Sequence, residues 1–154
     1  MTPEHLREDA LRHFIAEARW FGGKGRDFEV AEVRDLSLAD EVTTTLVTVR
    51  FDDGSTGSGQ AETALYQVPI ASYDEPQDRI GHALIGEWDD QFHYDAAHDR
   101  ESMQGWLQAF AIATQEQPHR AFHRTAEHDL DLESHSTLFS GEQSNSSVAF
   151  GRTA

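Results

Sequence analysis

The sequence predicts an α+β fold, and three patterns predict it. Apolar residues recur at helical spacing near the N-terminus, at Leu6, Ala10, Leu11, Phe14, Ile15 and Ala18. Two β-rich runs follow, and the second alternates cleanly, with Thr45, Val47, Val49 and Phe51 on one face. A second helical stripe returns after Asp99, in Met103, Trp106, Leu107, Phe110 and Ala111.

Composition narrows the function classes. The 154 residues suffice for one domain of ordinary size, or for a small domain and the beginning of another. Twenty-eight acidic residues against twelve basic ones give a formal charge of −16, which opposes nucleic acid and anionic membrane as partners. The same charge makes ATP an awkward ligand unless local dipoles and Mg²⁺ offset the field. With no cysteine, disulfides, thiolate nucleophiles and Cys-containing zinc sites are excluded. No apolar run approaches the roughly 20 residues of a membrane span, and Met-Thr-Pro-Glu-His is not a signal peptide. A soluble, cytoplasmic chain is expected.

The elements follow in order. Thr2, Pro3 and Glu4 make a helix start: an N-cap hydroxyl, proline at the first helical position and an acid at the positive end of the dipole. Gly22 and Gly23 end that helix. Residues 28–38 and 43–51 are strands, and the apolar phase shifts between Val30 and Val33, which predicts a bulge or strong bend. Residues 52–59, Asp-Asp-Gly-Ser-Thr-Gly-Ser-Gly, read as a hairpin tip. A third strand spans 61–70 with Ala64, Tyr66, Val68 and Ile70 on one side, and Pro69 suggests an edge or a strand end. Residues 80–88 and 92–94 read as shorter strands joined near Asp89 and Asp90. Asp99 caps the second helix, and Pro118 marks its end. Residues 120–124 form a candidate strand, and 126–134 an acidic connection to the last element.

That last element is the most chemically suggestive. Thr137 to Ser140 and Ser147 to Phe150 flank a small polar turn, Gly141-Glu-Gln-Ser-Asn-Ser146, which predicts a hairpin. Successive backbone N–H groups in such a turn, with Ser and Asn side chains, can make a nest for phosphate oxygens without net positive charge. An ordinary polar β-turn remains the alternative. A phosphate-cradling hairpin needs further chain to hold a nucleotide, so the front part of a larger enzyme is expected.

Other constellations are weaker. Residues 18–26, Ala-Arg-Trp-Phe-Gly-Gly-Lys-Gly-Arg, set Arg19, Lys24 and Arg26 beside two aromatics and three glycines. Either Trp20 and Phe21 anchor the helix end while the cations pair with local acids, or the cations form an anion or partner patch. His119, His123, His128 and His135, with Asp129 and Glu133, are the densest set of potential metal ligands, but Pro118 makes a His-x-x-x-His helix doubtful, and no metal site is expected. Asp95, His98 and Asp99 suit capping of the second helix better than acid/base chemistry. Neither a Gly-x-Ser-x-Gly elbow nor a Gly-x-x-x-x-Gly-Lys-Ser/Thr loop is present, and no complete active site is visible.

Three segments carry a resemblance: Arg19-Trp-Phe-Gly-Gly-Lys-Gly-Arg26, the run from Leu84-Ile-Gly-Glu through Tyr94-Asp-Ala-Ala-His-Asp99, and Gly141-Glu-Gln-Ser-Asn-Ser-Ser-Val-Ala-Phe-Gly151, with Gln67-Val-Pro-Ile70 as a weaker fourth. Together they resemble the N-terminal region of actinobacterial maltokinases, in the aminoglycoside-phosphotransferase-like kinase superfamily. The resemblance implies a cap subdomain over residues 1–88, a curved antiparallel sheet packed against helices, and the first part of a truncated kinase small lobe over 89–154. It implies transfer of the ATP γ-phosphate to maltose, giving maltose 1-phosphate for α-glucan (glycogen) synthesis, with trehalose feeding the route. A related branch with the same cap is similar to glucosamine kinases, and nothing here separates the two.

By the same likeness Gln143, Ser144, Asn145, Ser146 and Ser147 would line the ATP phosphates, holding rather than reacting. The phosphate-pairing Lys, the catalytic Asp and the Mg²⁺ ligands belong after Ala154, so no catalytic residue is expected in this chain and ATP and Mg²⁺ belong to the full-length parent. Its implied partners are the remainder of the kinase chain and a sugar such as maltose. The competing reading is a non-catalytic interaction module whose Arg19, Lys24 and Arg26 dock a trehalose-pathway enzyme or a second copy. A small cystatin-like α+β domain without ligand is a third.

Overall fold

The structure, a computed structural model, describes residues 2–39, 42–52, 61–113, 129–139 and 145–151. The expected hairpin tip at 52–59 lies almost wholly outside the described residues, as do Pro118, the candidate strand at 120–124 and His119, His123 and His128.

Helix α1 runs Pro3–Glu17 with proline in its first turn, as its sequence predicts. Thr2 precedes it in extended conformation, but its hydroxyl makes no capping bond, so proline and Glu4 alone mark the start. The chain then turns through the glycine-rich stretch into five strands: β1 Phe28–Ala39, β2 Val42–Phe51, β3 Thr63–Tyr73, β4 Leu84–Trp88 and β5 Gln91–Asp95. All pairs are antiparallel, and the order β1-β2-β3-β5-β4 forms one curled half-barrel sheet. The register of β1 on β2 slips between Val30 and Glu32, the bulge that the shifted apolar phase predicts.

Two readings of the middle of the chain are revised. Residues 78–83 form 3₁₀ turns that kink at Ile80 (φ −126°, ψ 21°) rather than the start of a strand, with Ile80 and Ala83 both buried. Pro69 lies inside β3 rather than at its end. It sits just before the point where β3 gains its second neighbour, since β5 pairs only from Ile70 to Tyr73. Its missing N–H therefore falls where β3 still has one free edge. The β4–β5 turn places Asp89 and Asp90 at φ 52° and 59°, the two left-handed positions of a tight hairpin that short polar residues tolerate.

Each face of the sheet has its own helix. In β2, Val47, Val49 and Phe51 point into the curl and pack with Leu11 and Ile15 of α1, Phe21, Phe28, Val68, Ile70, Ile85 and Trp88. Val42 points the other way and joins Ala71, Ala96 and Met103 in a second core. Met103 belongs to α2, Arg100–Ile112, which a short 3₁₀ turn, Ala96–His98, delivers to that face. Strands β6, Ser136–Leu138, and β7, Val148–Phe150, form the last hairpin, whose Val148 and Phe150 pack on this second core. Strand β5 lies beyond residue 88, and it is hydrogen-bonded to β3 on one side and β4 on the other.

Candidate functional site

A groove separates the curled sheet and α1 from α2 and the last hairpin. It has two compartments that share Phe14, Trp20, Asp95, Asn145 and Ser146. The first, of about 360 Å³, is the more polar of the two and is walled by the end of α1, by His82 and by His98. The second, of about 570 Å³, is apolar and lies between β3 and the Met103, Trp106 and Phe110 stripe of α2.

Local sequence explains each wall. The helix breaks after Glu17, and Trp20 then folds back against Phe14 and Tyr66, with ring centroids 6.2 and 5.4 Å away. Phe21 goes the other way, into the core between Phe28 and Phe51. Gly23 makes that possible, because a Cβ there would lie 2.5 Å from the Phe51 ring and 2.6 Å from Phe21. On α2, the stripe read from the sequence divides: Leu107 is buried away from the groove, whereas Met103, Trp106 and Phe110 line it.

The junction between sheet and α2 is a carboxylate cluster. Asp99 is fully buried and accepts hydrogen bonds from Arg79 Nη1 at 2.5 Å, Ser102 Oγ at 2.6 Å, the Glu101 amide at 3.2 Å and the Tyr73 hydroxyl. Burial pushes its carboxyl up, but the bonds from Ser102, Tyr73 and Arg79 outweigh that and hold it below the ordinary carboxylate value. Asp95, whose Oδ1 accepts from the Ala97 amide at 3.0 Å, has no such set of donors, and burial pushes its carboxyl up. Both aspartates thus cap helical turns, the role the sequence favours for them.

The hairpin brings Asn145 and Ser146 to the junction of the two compartments. The carbonyl of Ser147 accepts the Phe139 amide at 2.8 Å, which closes the hairpin. Gln143 and Ser144, read with them as phosphate-lining residues, lie outside the described residues. Of the three cations, Arg19 lines the polar compartment and Lys24 is exposed. Arg26 donates to Glu62 Oε2 at 2.7 Å and lies 3.8 Å above the Phe51 ring, folded onto the sheet. Among the described residues no group of three or more His, Asp or Glu side chains is arranged to hold a metal, and no helix is long and apolar enough to cross a membrane.

The maltokinase N-terminal cap domain, as a family model, matches residues 14–99, more than half of the chain. The chain belongs to this family. The match starts in the second half of α1, takes in all five strands of the curled sheet, and ends at Asp99, the N-cap of α2. The cap domain therefore supplies the Trp20 wall, the His82 and His98 wall and the free edge of β3, while α2 and the β6–β7 hairpin form the opposite side. Sequence reading singles out Asn145 and Ser146 but misses Phe14, Trp20, Tyr73 and Arg79. Trp20 and Phe14 had a signal, a bulky aromatic just after a helix end and another six residues earlier. Arg79 and Tyr73 had none, because their meeting with Asp99 depends on the strand order.

Proposed function

We propose that this chain is the front portion of an ATP-dependent, maltokinase-like sugar kinase, with the cap domain set before the first part of a kinase small lobe that contains α2 and the β6–β7 hairpin. The cap-family match at residues 14–99 carries the reading. The placement of Asn145 and Ser146 in the groove supports it, since a donor-rich hairpin tip facing a cavity is what a phosphate-covering loop needs.

In this reading Gln143, Ser144, Asn145, Ser146 and Ser147 present backbone N–H groups and side-chain donors to the β- and γ-phosphates of ATP. Phosphoryl transfer depends on positioning and on electrostatic stabilisation, so the loop orients while other groups react. A chain of charge −16 repels ATP at a distance. Mg²⁺ and the aligned amides offset that repulsion locally. The phosphate-pairing Lys, the catalytic Asp and the Mg²⁺ ligands come from chain following Ala154, as does most of the sugar site. The acceptor is maltose, giving maltose 1-phosphate, and the protein works in the cytoplasm on an α-glucan route fed from trehalose.

The test uses the protein carrying its natural continuation. Mg·ATP is expected to shift the backbone amide resonances of Asn145, Ser146 and Ser147. Replacing Asn145 by Asp, which sets a carboxylate against the phosphates, is expected to weaken ATP about tenfold or more. Shifts confined to other regions, with N145D binding as well as the parent, would overturn the assignment of the loop.

A further inference from the structure

The polar compartment contains a pair of imidazoles that the kinase reading does not use. His82 is the next-to-last residue of the 3₁₀ segment before β4, and His98 ends the 3₁₀ turn before α2. They stand sixteen residues apart in sequence, yet His82 Nε2 lies 3.3 Å from His98 Nδ1, with ring centroids 5.0 Å apart and planes at 84°. Both rings are exposed, so an ion reaches them without opening the fold.

We propose that His82 Nε2 and His98 Nδ1 form a binding site for one divalent transition-metal ion of the zinc class, open to the groove. Two nitrogens bound at about 2.0–2.1 Å to one tetrahedral Zn²⁺ stand about 3.3 Å apart, and their ring centroids about 5.2 Å apart. The pair matches both spacings. As it stands the contact is a hydrogen bond between the two rings, and a metal ion would take the place of the proton they share.

Asp95 completes the arrangement behind His98. Its Oδ2 lies 3.9 Å from His98 Nε2, on the opposite side of the ring from the metal position. A carboxylate there favours the tautomer with the proton on Nε2, which leaves Nδ1 free to bind metal. The turn holds Asp95 in place, because its other oxygen is committed to the Ala97 amide. Imidazole donors select Zn²⁺, Cu²⁺ or Ni²⁺ over Mg²⁺ or Ca²⁺, which separates this site from any nucleotide-bound magnesium. Two protein donors leave the remaining positions to water or to an oxygen of whatever occupies the groove. The ion would tie the Asp78–Ala83 segment to the start of α2, across one wall of the polar compartment.

The test is a zinc titration of the full 154-residue chain in a non-chelating buffer, followed by calorimetry and by ¹⁵N imidazole resonances. One saturable site is expected, perturbing Nε2 of His82 and Nδ1 of His98. H82A and H98A should each abolish it, and the double variant should be no worse than either. D95N should keep one site but weaken it about 10- to 100-fold. H13A, which removes another imidazole from the same compartment, should leave binding unchanged. The nitrogen resonances are read on the unsubstituted protein, so the conclusion stands even if a variant misfolds. No saturable binding up to about 1 mM zinc, binding that survives H82A and H98A, or perturbation of other histidines instead would overturn the proposal.

Discussion

Gly86 lies where β4 passes beneath α1, and adding one methyl group there tests how tightly the helix is seated in the curled sheet. A Cβ at Gly86 would fall 2.7 Å from the Cβ of Ala10. Carbon atoms relax only at about 3.5–4.0 Å. Neither atom can rotate away, because each is fixed directly to backbone, so α1 must lift by about 1 Å. The helix carries Leu11 and Ile15, both fully buried, and lifting it loosens the main core. Overpacking of this kind costs about 1–3 kcal/mol. For a chain of this length that lowers Tm by roughly 2–12 °C. Urea and thermal unfolding of Gly86→Ala, followed by tryptophan fluorescence, measure the loss. Ala10→Gly in the same background removes the colliding carbon. Alone it costs about 1 kcal/mol as a glycine inside a helix, and the double variant should be no less stable than Ala10→Gly alone. A Gly86→Ala protein within about 0.5 kcal/mol of the parent, or a double variant showing the plain sum of two losses, would refute the reasoning.

Two further outcomes follow from the buried polar groups. Asp99→Ala uncaps α2 and removes the acceptor that Arg79, Tyr73 and Ser102 share, leaving Arg79 only Glu101 and the Tyr73 hydroxyl. Breaking a fully buried pair costs about 3–5 kcal/mol, and the 38% exposure of Arg79 reduces that to about 2–3 kcal/mol. Asp99→Asn, which keeps a good cap, should lose about half as much, and equal losses in urea unfolding would show that the cap contributes nothing beyond the charge. His93 is buried and stacks on Trp88 at 3.6 Å, with Nε2–H donating to the Trp88 carbonyl at 3.0 Å and Nδ1 accepting from Ser72 at 2.8 Å. Burial pushes its imidazole below the ordinary value, against the pull of the Trp88 carbonyl. A histidine held neutral when folded binds fewer protons than the unfolded chain, so its contribution to stability is complete above about pH 6.5 and is lost as pH falls towards the folded value. Titration of the His93 ring by NMR should give a midpoint below the ordinary histidine value of about 6.5, and a midpoint above it would contradict the burial argument.

What was legible in the sequence is what local periodicity encodes. The α1 stripe, the alternation of β2, the bulge after Val30 and the Asp99 cap each depend on neighbours in the chain, and each stands in the structure. The 3₁₀ segment was hidden because Ile80 and Ala83 fit a strand composition as readily as a threefold turn. The strand order was hidden for a different reason. Strand β5 enters the sheet between β3 and β4, and that insertion alone brings Asp99 to Tyr73 and His98 to His82. Residue pairs sixteen or more apart leave no mark in a local pattern. The groove was half visible: Asn145 and Ser146 announced themselves by composition, whereas the walls of Trp20, Phe14 and Trp106 read as plain core.

The measurement that bears most directly on the account is a phosphotransfer assay on this chain and on the same protein carried to its natural C-terminus, with Mg·ATP and either maltose or glucosamine as acceptor. Phosphorylation of maltose by the extended protein, and none by the 154-residue chain, is the predicted result. An extended protein that phosphorylates neither sugar would contradict the kinase reading and leave the cap domain as an interaction module.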